Sequence, residues 1–246
     1  MCTQPQIPCV SVETMRESDR MTIERFTPSP VLMYRAAMGV YLATDWPGRT
    51  VIAVGPGNNG GDGFALAWIM KRRGHDCRVV SVSDKRSPDG EHYARLAEAV
   101  GVPIAPWTPD AFADCETVVD CLLGTGFQGS LREPYSTVIA ALNACGARVV
   151  SVDINSGMNG DTGEAECAVR SDLTVTIGFV KTGLVAENAG RYLKRLVVAD
   201  IGIVLCREEV AICPAETRTA ACRADRCRPC PPWLETTPID VSKQTP

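Results

Sequence analysis

Residues 54–63, VGPGNNGGDG, combine glycines with amide and carboxylate side chains between an apolar strand and a helix. A chain that turns from strand into helix through glycines leaves unpaired backbone N–H groups at the helix N-terminus, where phosphate and other anions bind. Asn58, Asn59 and Asp62 add oxygen atoms that suit a hard cation or a sugar hydroxyl. The segment therefore predicts a site for a phosphorylated small molecule.

The same segment also satisfies the dinucleotide fingerprint G-x-G-x-x-G, through Gly55, Gly57 and Gly60. Asp84, at the end of the next apolar run, stands at about the distance expected of a ribose-binding acid. However, a dehydrogenase fingerprint usually lies on the first strand, whereas a long stretch of helical pattern comes first here. An NAD(P)-dependent oxidoreductase is thus an alternative, and a hydride-transfer assay would distinguish it.

Two more acids end apolar strands and are followed by loops of small or polar residues. Asp120 ends one apolar run and precedes a turn at Gly124, while Asp153 ends another and precedes Ser156. One aspartate at a strand end often only caps a turn through its backbone. Three such loops in one sheet favour a ligand site, because open α/β sheets bind ligands at the carboxyl ends of their strands. A partly desolvated Asp153 would suit a general acid or base.

Asn59, Asp120 and Ser156 offer oxygen ligands with little charge. A monovalent cation, or magnesium with waters, suits such a set better than zinc does. The chain has no Walker lysine, G-x-S-x-G elbow or H-E-x-x-H motif, so nucleoside triphosphatase, esterase and zinc peptidase functions lack support. Cys227 and Cys230 form a C-x-x-C, but the absence of a second matching pair and of a nearby histidine argues against a zinc site.

The pattern around these loops predicts an α/β fold. From residue 50 onward, near-continuous apolar strands alternate with amphipathic helices, which is typical of a parallel sheet covered on both faces. Two helices precede it, the first with Ser11 as its N-cap, and the helix after the glycine loop is predicted to begin near Gly63. Glycines 74, 101 and 146 are placed to end helices. The predicted strands are TVIAV, CRVVSVS, TVVDCLL, ARVVSVDI, LTVTIGF and RLVVADIGI.

Composition narrows the function further. The net charge of −4, without a basic stripe, argues against nucleic acid as a partner. No signal peptide or membrane-length apolar run is evident, so we expect no membrane association and a cytoplasmic location. Residues 205–246 are rich in Cys, Arg, Pro and Thr and read as a linker remnant or a poorly ordered tail after a domain at 10–204.

Several ordered motifs resemble the NAD(P)H-hydrate epimerases, the family of YjeF N-terminal domains. The motifs are VGPGNNGGDGFALA, VVDCLLGTGFQGSLREPY, VVSVDINSGMNGDTG, and TVTIGFVKTGL followed by LVVADIGI. The resemblance covers about residues 10–204 and implies a three-layer Rossmann-like sandwich with a mostly parallel sheet. It also implies an isomerase for metabolite repair, which interconverts the R and S forms of hydrated NADH and NADPH so that a separate dehydratase can restore the cofactor.

The resemblance assigns roles by motif. Asp153 is implied as the catalytic acid or base, and Asn59, Asp120 and Ser156 as the ligands of a potassium ion. The residues implied to contact the hydrated dinucleotide are Asn58, Asn59, Gly60, Gly61, Asp62, Gly124, Thr125, Gly126, Phe127, Gln128, Gly129, Ser130 and Asp153.

The chain departs from the family pattern at two positions, Asn155 and Thr182, where prolines are common; we therefore expect a less rigid loop around Ser156. Many bacterial relatives fuse this domain to a dehydratase. A homodimer agrees with the family likeness, although no residue pattern requires it. The alternative from another class is a non-catalytic nucleotide-binding or scaffold domain of the same fold, against which the retained polar constellation argues.

Overall fold

The computed structural model describes residues 7–207, 210–213, 228–229, 235 and 237–246. Its α-helices are α1 (Val12–Arg25), α2 (Ser29–Leu42), α3 (Asn58–Arg72), α4 (Pro88–Ala99) and α5 (Tyr135–Ala144). Its strands are β1 (Ile7–Val10), β2 (Thr50–Val54), β3 (Cys77–Ser81), β4 (Ile104–Pro106), β5 (Thr117–Cys121), β6 (Arg148–Val152), β7 (Leu173–Ile177), β8 (Val180–Lys181), β9 (Leu196–Asp200), β10 (Val210–Cys213), β11 (Arg228–Pro229) and β12 (Ile239–Asp240). Two 3-10 helices follow β8, at Thr182–Val185 and Glu187–Arg191.

The main sheet has eight strands in the order β12-β9-β7-β6-β5-β2-β3-β4, and its neighbouring strands are parallel. All six predicted strands belong to it. The chain runs outward from β2 to β3 and β4 on one side, and from β5 to β6 and β7 on the other. The sheet therefore has a switch point between β2 and β5, and ligands of open α/β folds bind in the crevice outside such a point.

Helices cover both faces of the sheet. Alternate side chains of a strand point to opposite faces, so Ile52 packs in an apolar cluster with side chains of α2, α3 and α4, whereas Val51 packs in a cluster with α5. These two clusters form the layers on either side of the buried sheet. The predicted α/β sandwich with a mostly parallel sheet is confirmed.

A second, four-stranded sheet has the order β11-β10-β1-β8. In it β1 pairs in parallel with β8, which places Val10 opposite Lys181, and β10 runs antiparallel to β1. Helix α1 follows β1 directly, and the backbone N–H of Val12 donates to Asp161 Oδ1 at 2.7 Å. The start of α1 is therefore held beside β8.

The helix boundaries largely follow the predicted capping. Ser11 Oγ accepts a hydrogen bond from the Thr14 backbone N–H at 3.1 Å, which confirms it as the N-cap of α1. The glycines that follow α3, α4 and α5, at positions 74, 101 and 146, all have positive φ. Among the described residues, no helix has both the length and the apolar character that crossing a bilayer requires.

The predicted start of α3 near Gly63 is wrong, since the helix begins at Asn58. Gly60 lies in its first turn, so close to the preceding loop that an added Cβ would be 1.9 Å from the carbonyl oxygen of Gly55. Glycine is unfavourable inside helices in general, which is why the run looks like a loop. Here it allows the helix to approach the end of β2.

The region predicted as a tail contributes to both sheets where the structure describes it. Strands β10 and β11 join the small sheet, and β12 pairs in parallel with β9 at the edge of the main sheet. Val241, just after β12, is buried. The domain boundary at residue 204 stays a prediction, and Cys227 and Cys230 lie outside the described residues.

Candidate functional site

A cavity of about 850 Å³ opens at the carboxyl ends of β2, β5 and β6. This volume is within the range of small-molecule sites. Of the residues implied to bind substrate, Asn58, Asn59, Asp62, Asp153 and all of 124–130 line it. Gly60 and Gly61 do not, because they are buried in the first turn of α3. Asp84, the acid of the dinucleotide fingerprint, is exposed and lies away from the cavity lining.

Asp153 follows β6 in a backbone conformation that is uncommon for residues with a side chain. Its φ is 68°, in the left-handed region, and its N–H donates to the Val175 carbonyl at 2.8 Å. Such conformations persist where the surrounding structure enforces them, and they cluster at functional sites. The side chain is 13% exposed and lines the cavity, so the predicted acid or base is brought to the ligand site.

Lys181 is the main residue that the sequence analysis missed. It is fully buried, and its Nζ donates to Asp153 Oδ1, to Thr176 Oγ1 at 3.1 Å and to the Ile177 carbonyl at 2.7 Å. These three acceptors match the three donors of a protonated ammonium. A buried charge requires such a partner, and the signal available in the sequence was the single lysine in the apolar stretch TIGFVK.

Asp120 and Ser156 form a buried network behind the cavity. Asp120 Oδ1 accepts from the Leu122 N–H at 3.2 Å and from Ser156 Oγ at 2.5 Å. Its Oδ2 accepts from Ser151 Oγ at 2.9 Å and from the Ser156 N–H at 3.0 Å. Burial raises the pKa of Asp120, and these hydrogen bonds oppose that rise. The network fixes the loops after β5 and β6 to each other.

Asn59 leaves an acceptor without a partner next to this network. Its Nδ2 donates to the Leu123 carbonyl at 2.9 Å, and Ser156 Oγ, whose hydrogen goes to Asp120 Oδ1, lies 3.1 Å from the same carbonyl oxygen. Asn59 Oδ1, however, is buried and has no hydrogen-bond partner in the part of the chain that the structure describes. An unpaired buried acceptor costs about 1–3 kcal/mol. A weakly charged set of amide, carbonyl, hydroxyl and carboxylate oxygens with one free acceptor fits a monovalent cation.

Soft or strongly charged metal sites have less support. Within the described ranges, no group of three His, Cys, Asp or Glu side chains is placed to hold a metal ion. The oxygens of Asn59, Asp120 and Ser156 are chemically suited to a weakly held hard cation.

Groups that attract anions lie where the glycine loops after β2 and β5 meet α1. Helix α3 begins after Gly57 without a side-chain cap, so its first N–H groups are available to an anion. Arg16 of α1 donates from Nη2 to the Thr125 carbonyl at 2.6 Å and lines the cavity, as does Arg132. This part of the cavity suits the phosphates of a nucleotide.

Carboxylates gather around Lys181 instead. Asp62 from α3 and Asp19 from α1 line the cavity together with Asp153. Burial, and next the charge of Asp153, raise the pKa of Asp19 and raise that of Asp62 well above its ordinary value. The cavity therefore has an acidic part around Asp153 and a basic part beside the loop at 124–130.

Asn155, which replaces a common proline, is fully buried and anchored. Its Nδ2 donates to the carbonyls of Val169 and Tyr192 at 3.0 and 2.9 Å, and its Oδ1 accepts from Thr174 Oγ1 at 2.7 Å. The amide ties the loop that carries Ser156 to two neighbouring segments. The structure thus shows an anchor where we expected less rigidity.

The comparison with known families agrees with this geometry. Residues 29–183 match the model of the family described as the YjeF-related protein N-terminus. The chain belongs to this family. The match includes the glycine loops, Asp153 and Lys181, and it begins after α1.

Curated relatives extend the likeness over most of the chain. An NAD(P)H-hydrate epimerase of Limosilactobacillus fermentum is 36% identical over 78% of this chain and 95% of that protein. The NAD(P)H-hydrate epimerase of Rhodopirellula baltica is 35% identical over 81% of this chain and 86% of that protein. A bifunctional NAD(P)H-hydrate repair enzyme of Coxiella burnetii is 35% identical, but only 40% of its length is covered.

Among solved structures, the yeast protein ynu0 has the same fold. Its TM-score is 0.67 at 19% identity, and the match covers 80% of this chain and 90% of that one. At this identity the likeness supports the architecture and nothing finer.

Proposed function

We propose that this chain is an NAD(P)H-hydrate epimerase, an isomerase that interconverts the R and S forms of hydrated NADH and NADPH. The observation that carries the proposal has two parts: the Asp153–Lys181 pair, and the backbone N–H groups and arginines that line the same cavity. The first part offers proton transfer and the second offers a place for the pyrophosphate. The relatives from Limosilactobacillus fermentum and Rhodopirellula baltica, which are named NAD(P)H-hydrate epimerases, support the same activity.

The reaction inverts a ring carbon that bears a hydroxyl group and a ring nitrogen. A proton is delivered to the hydroxyl, the C–O bond breaks, and its electron pair leaves with the oxygen as water. The nitrogen lone pair forms a C=N bond, so the ring becomes a cation. Water then adds to the other face and gives up a proton. Atoms and electrons balance without an oxidant or reductant, so one proton-carrying group suffices.

Asp153 is the group that we assign to this proton. Its Oδ1 is held by Lys181, while Oδ2 has no hydrogen-bond partner among the described residues and lies 3.3 Å from the Cβ position of Gly124. A side chain at residue 124 would therefore crowd the free oxygen. Lys181 positions Asp153 through Oδ1, and Asp153 can then give or accept a proton at Oδ2.

A potassium ion is proposed at the oxygens of Asn59, Asp120 and Ser156. The ion would place positive charge next to the buried Asp120. It would also be coordinated by Asn59 Oδ1, which receives no hydrogen bond from the described residues. Melting curves in KCl and in choline chloride test this without an activity assay. Saturation at about 100 times the dissociation constant stabilises the folded state by about 2.7 kcal/mol, and Asn59→Ala should abolish the difference. If the wild type melts at the same temperature in KCl and in choline chloride, the proposed potassium site is contradicted.

The natural context is a two-step repair. We propose that a dehydratase specific for the S form consumes the product, which agrees with the existence of bifunctional repair enzymes among the relatives. A cytoplasmic location and a homodimer are proposed on the same family likeness.

The test is a coupled assay with both hydrate epimers and an excess of an S-specific dehydratase. We expect the R fraction to disappear only when this protein is added. Asp153→Asn should lower kcat by about 10²–10⁴-fold and should still bind NADH. The exposed Asp45→Asn is the control for charge. If the R form persists while NADH binds, a nucleotide-binding or scaffold domain becomes the better assignment; hydride transfer to a carbonyl would favour an oxidoreductase.

A further inference from the structure

Helix α1 forms part of the cavity, although the family match begins only after it, at residue 29. Met15, Arg16 and Asp19 contribute to the lining. The helix is fixed there because β1, which precedes it, pairs with β8 and sets Val10 opposite Lys181. The register of the small sheet thus brings a helix from the start of the chain to the ion pair in the proposed active site.

Asp19 is unusual among the acids of α1. It is half-buried, lines the cavity, and its carboxylate makes no hydrogen bond or ion pair within the described residues. Glu24, on the same helix, is exposed to solvent. Withdrawing a carboxylate from water without giving it a donor costs free energy. Such a cost is tolerated where a ligand supplies the missing interaction.

Two independent features indicate that the ligand site is real. Asn59 lines the same cavity, is only 8% exposed, and its Oδ1 has no hydrogen-bond partner among the residues that the structure describes. Asp153 approaches from the end of a different element and is held by Lys181. Asp19, Asp153 and Lys181 all line this one cavity. The three groups therefore face one space rather than three separate surfaces.

We propose that Asp19 is a further catalytic residue of the epimerisation, whose carboxylate faces the hydrated ring and stabilises the positive charge that develops when the hydroxyl leaves. The inference rests on the proposed function. The C–O bond breaks with its electron pair leaving on the protonated oxygen, and the ring gains the positive charge. A fixed negative group that is partly withdrawn from water stabilises that charge more than a fully exposed group does.

This role predicts a specific kinetic pattern. The ground-state ring is neutral and the intermediate is cationic, so removing the charge of Asp19 should lower kcat more than it changes substrate binding. Asp19→Asn keeps the shape of the side chain and removes its charge. Asp19→Glu keeps the charge and should retain more activity than Asp19→Asn. Glu24→Gln is the matched control, with the same change in charge on the same helix.

The experiment measures kcat and KM for conversion of the R hydrate by the full chain, NADH binding by calorimetry, and the melting temperature. We expect Asp19→Asn to lose about 10–100-fold in kcat, with the dissociation constant for NADH within about threefold of wild type and no loss of melting temperature. Asp19→Glu should recover part of kcat, and Glu24→Gln should match wild type.

Three outcomes would overturn the assignment. If Asp19→Asn stays within twofold of wild-type kcat, Asp19 has no catalytic role. If its melting temperature and NADH binding fall together with kcat, the residue is structural. If the wild-type chain itself leaves the R form unchanged, the proposed epimerase function fails and Asp19 fails with it. The wild-type assay therefore separates failure of the function from failure of the residue.

Discussion

The cavity has two walls of different construction. The loop wall comprises residues 55–62, 120–130 and 153–156, which lie at or just after the carboxyl ends of three neighbouring strands of the main sheet. The helix wall comprises α1 and β8, and it contributes Asp19 and Lys181. The loop wall places its polar groups at strand ends, in loops and near the start of α3, whereas the helix wall contributes one charge from within α1 and one from within β8. Charged groups from both walls therefore meet around Asp153.

The two walls are also held by different forces. In the loop wall, the carboxylate of Asp120 accepts four hydrogen bonds that bind neighbouring loops together. In the helix wall, Lys181 is fixed by one ion pair and two neutral acceptors. Each bond in the first network can be lost with some compensation from the others. Removal of Lys181 leaves the carboxylate of Asp153 without its cation, so we expect the helix wall to be the more sensitive.

The largest expected effect is that of Lys181→Met. The substitution preserves much of the side-chain volume and deletes the charge that orients Asp153. We expect kcat to fall by about 10³-fold and the free energy of unfolding to fall by about 3–5 kcal/mol, as for other broken buried ion pairs. Both quantities are measured, the first by the coupled assay and the second by urea unfolding.

Lys194→Met is the matched control for that change. Lys194 pairs with Asp172, but its side chain is 77% exposed whereas that of Lys181 is fully buried. Exposed pairs contribute about 0–1 kcal/mol, so activity and stability should remain close to wild type. Equal effects of the two substitutions would show that burial of the Lys181 pair has no special consequence, and would remove the distinction between the walls.

The loop wall is tested by two glycines of the same motif. A Cβ at Gly60 would lie 1.9 Å from a backbone carbonyl oxygen, whereas a Cβ at Gly57 would meet no atom within 4 Å. We expect Gly60→Ala to cost about 2–4 kcal/mol of unfolding free energy, because the backbone must move. Gly57→Ala should cost less than about 1 kcal/mol. Urea unfolding of both variants measures the difference.

That pair distinguishes two reasons for glycine in the motif. If Gly57→Ala lowers the free energy of unfolding as much as Gly60→Ala does, each position needs glycine for its turn conformation. If only Gly60→Ala does so, close approach of α3 to the end of β2 explains its glycine.

The same contrast explains what the sequence could and could not predict. Asp120 and Asp153 end apolar strands, and strands in a parallel sheet align their carboxyl ends, so local pattern is enough to bring them together. Asp19 and Lys181 are 162 positions apart in the chain and meet through the pairing of β1 with β8, two short strands without a periodic pattern. The start of α3 was missed because helix propensity opposes glycine, and the packing that favours it at Gly60 is visible only in three dimensions.

The smallest expected effect tests whether the acids of the cavity are kept at the expense of stability. Burial raises the pKa of Asp62 well above its ordinary value, with added repulsion from Asp153 and Asp19. The folded protein therefore retains a proton that the unfolded chain has released, and stability falls as pH rises between the unfolded and folded pKa values. Asn cannot titrate in this range, so Asp62→Asn avoids this fall in stability. Its melting temperature should exceed that of wild type, by about 2–4 °C for each kcal/mol gained.

The pH dependence makes this last prediction specific. At a pH below the unfolded pKa, Asp62 is protonated in both states, so Asp62→Asn and wild type should melt at similar temperatures. The difference in melting temperature between Asp62→Asn and wild type should grow as pH rises from the unfolded to the folded pKa of Asp62, and then stay constant. The exposed Asp45→Asn should show no such trend. Melting curves from pH 3 to pH 8 measure it. A variant that gains stability while losing epimerase activity would show that Asp62 is retained for function, because a residue kept for folding cannot be removed with a gain in stability. A variant that melts lower at every pH would instead make Asp62 a structural part of the loop wall, and the functional charge in the cavity would then come from Asp153 and the helix wall.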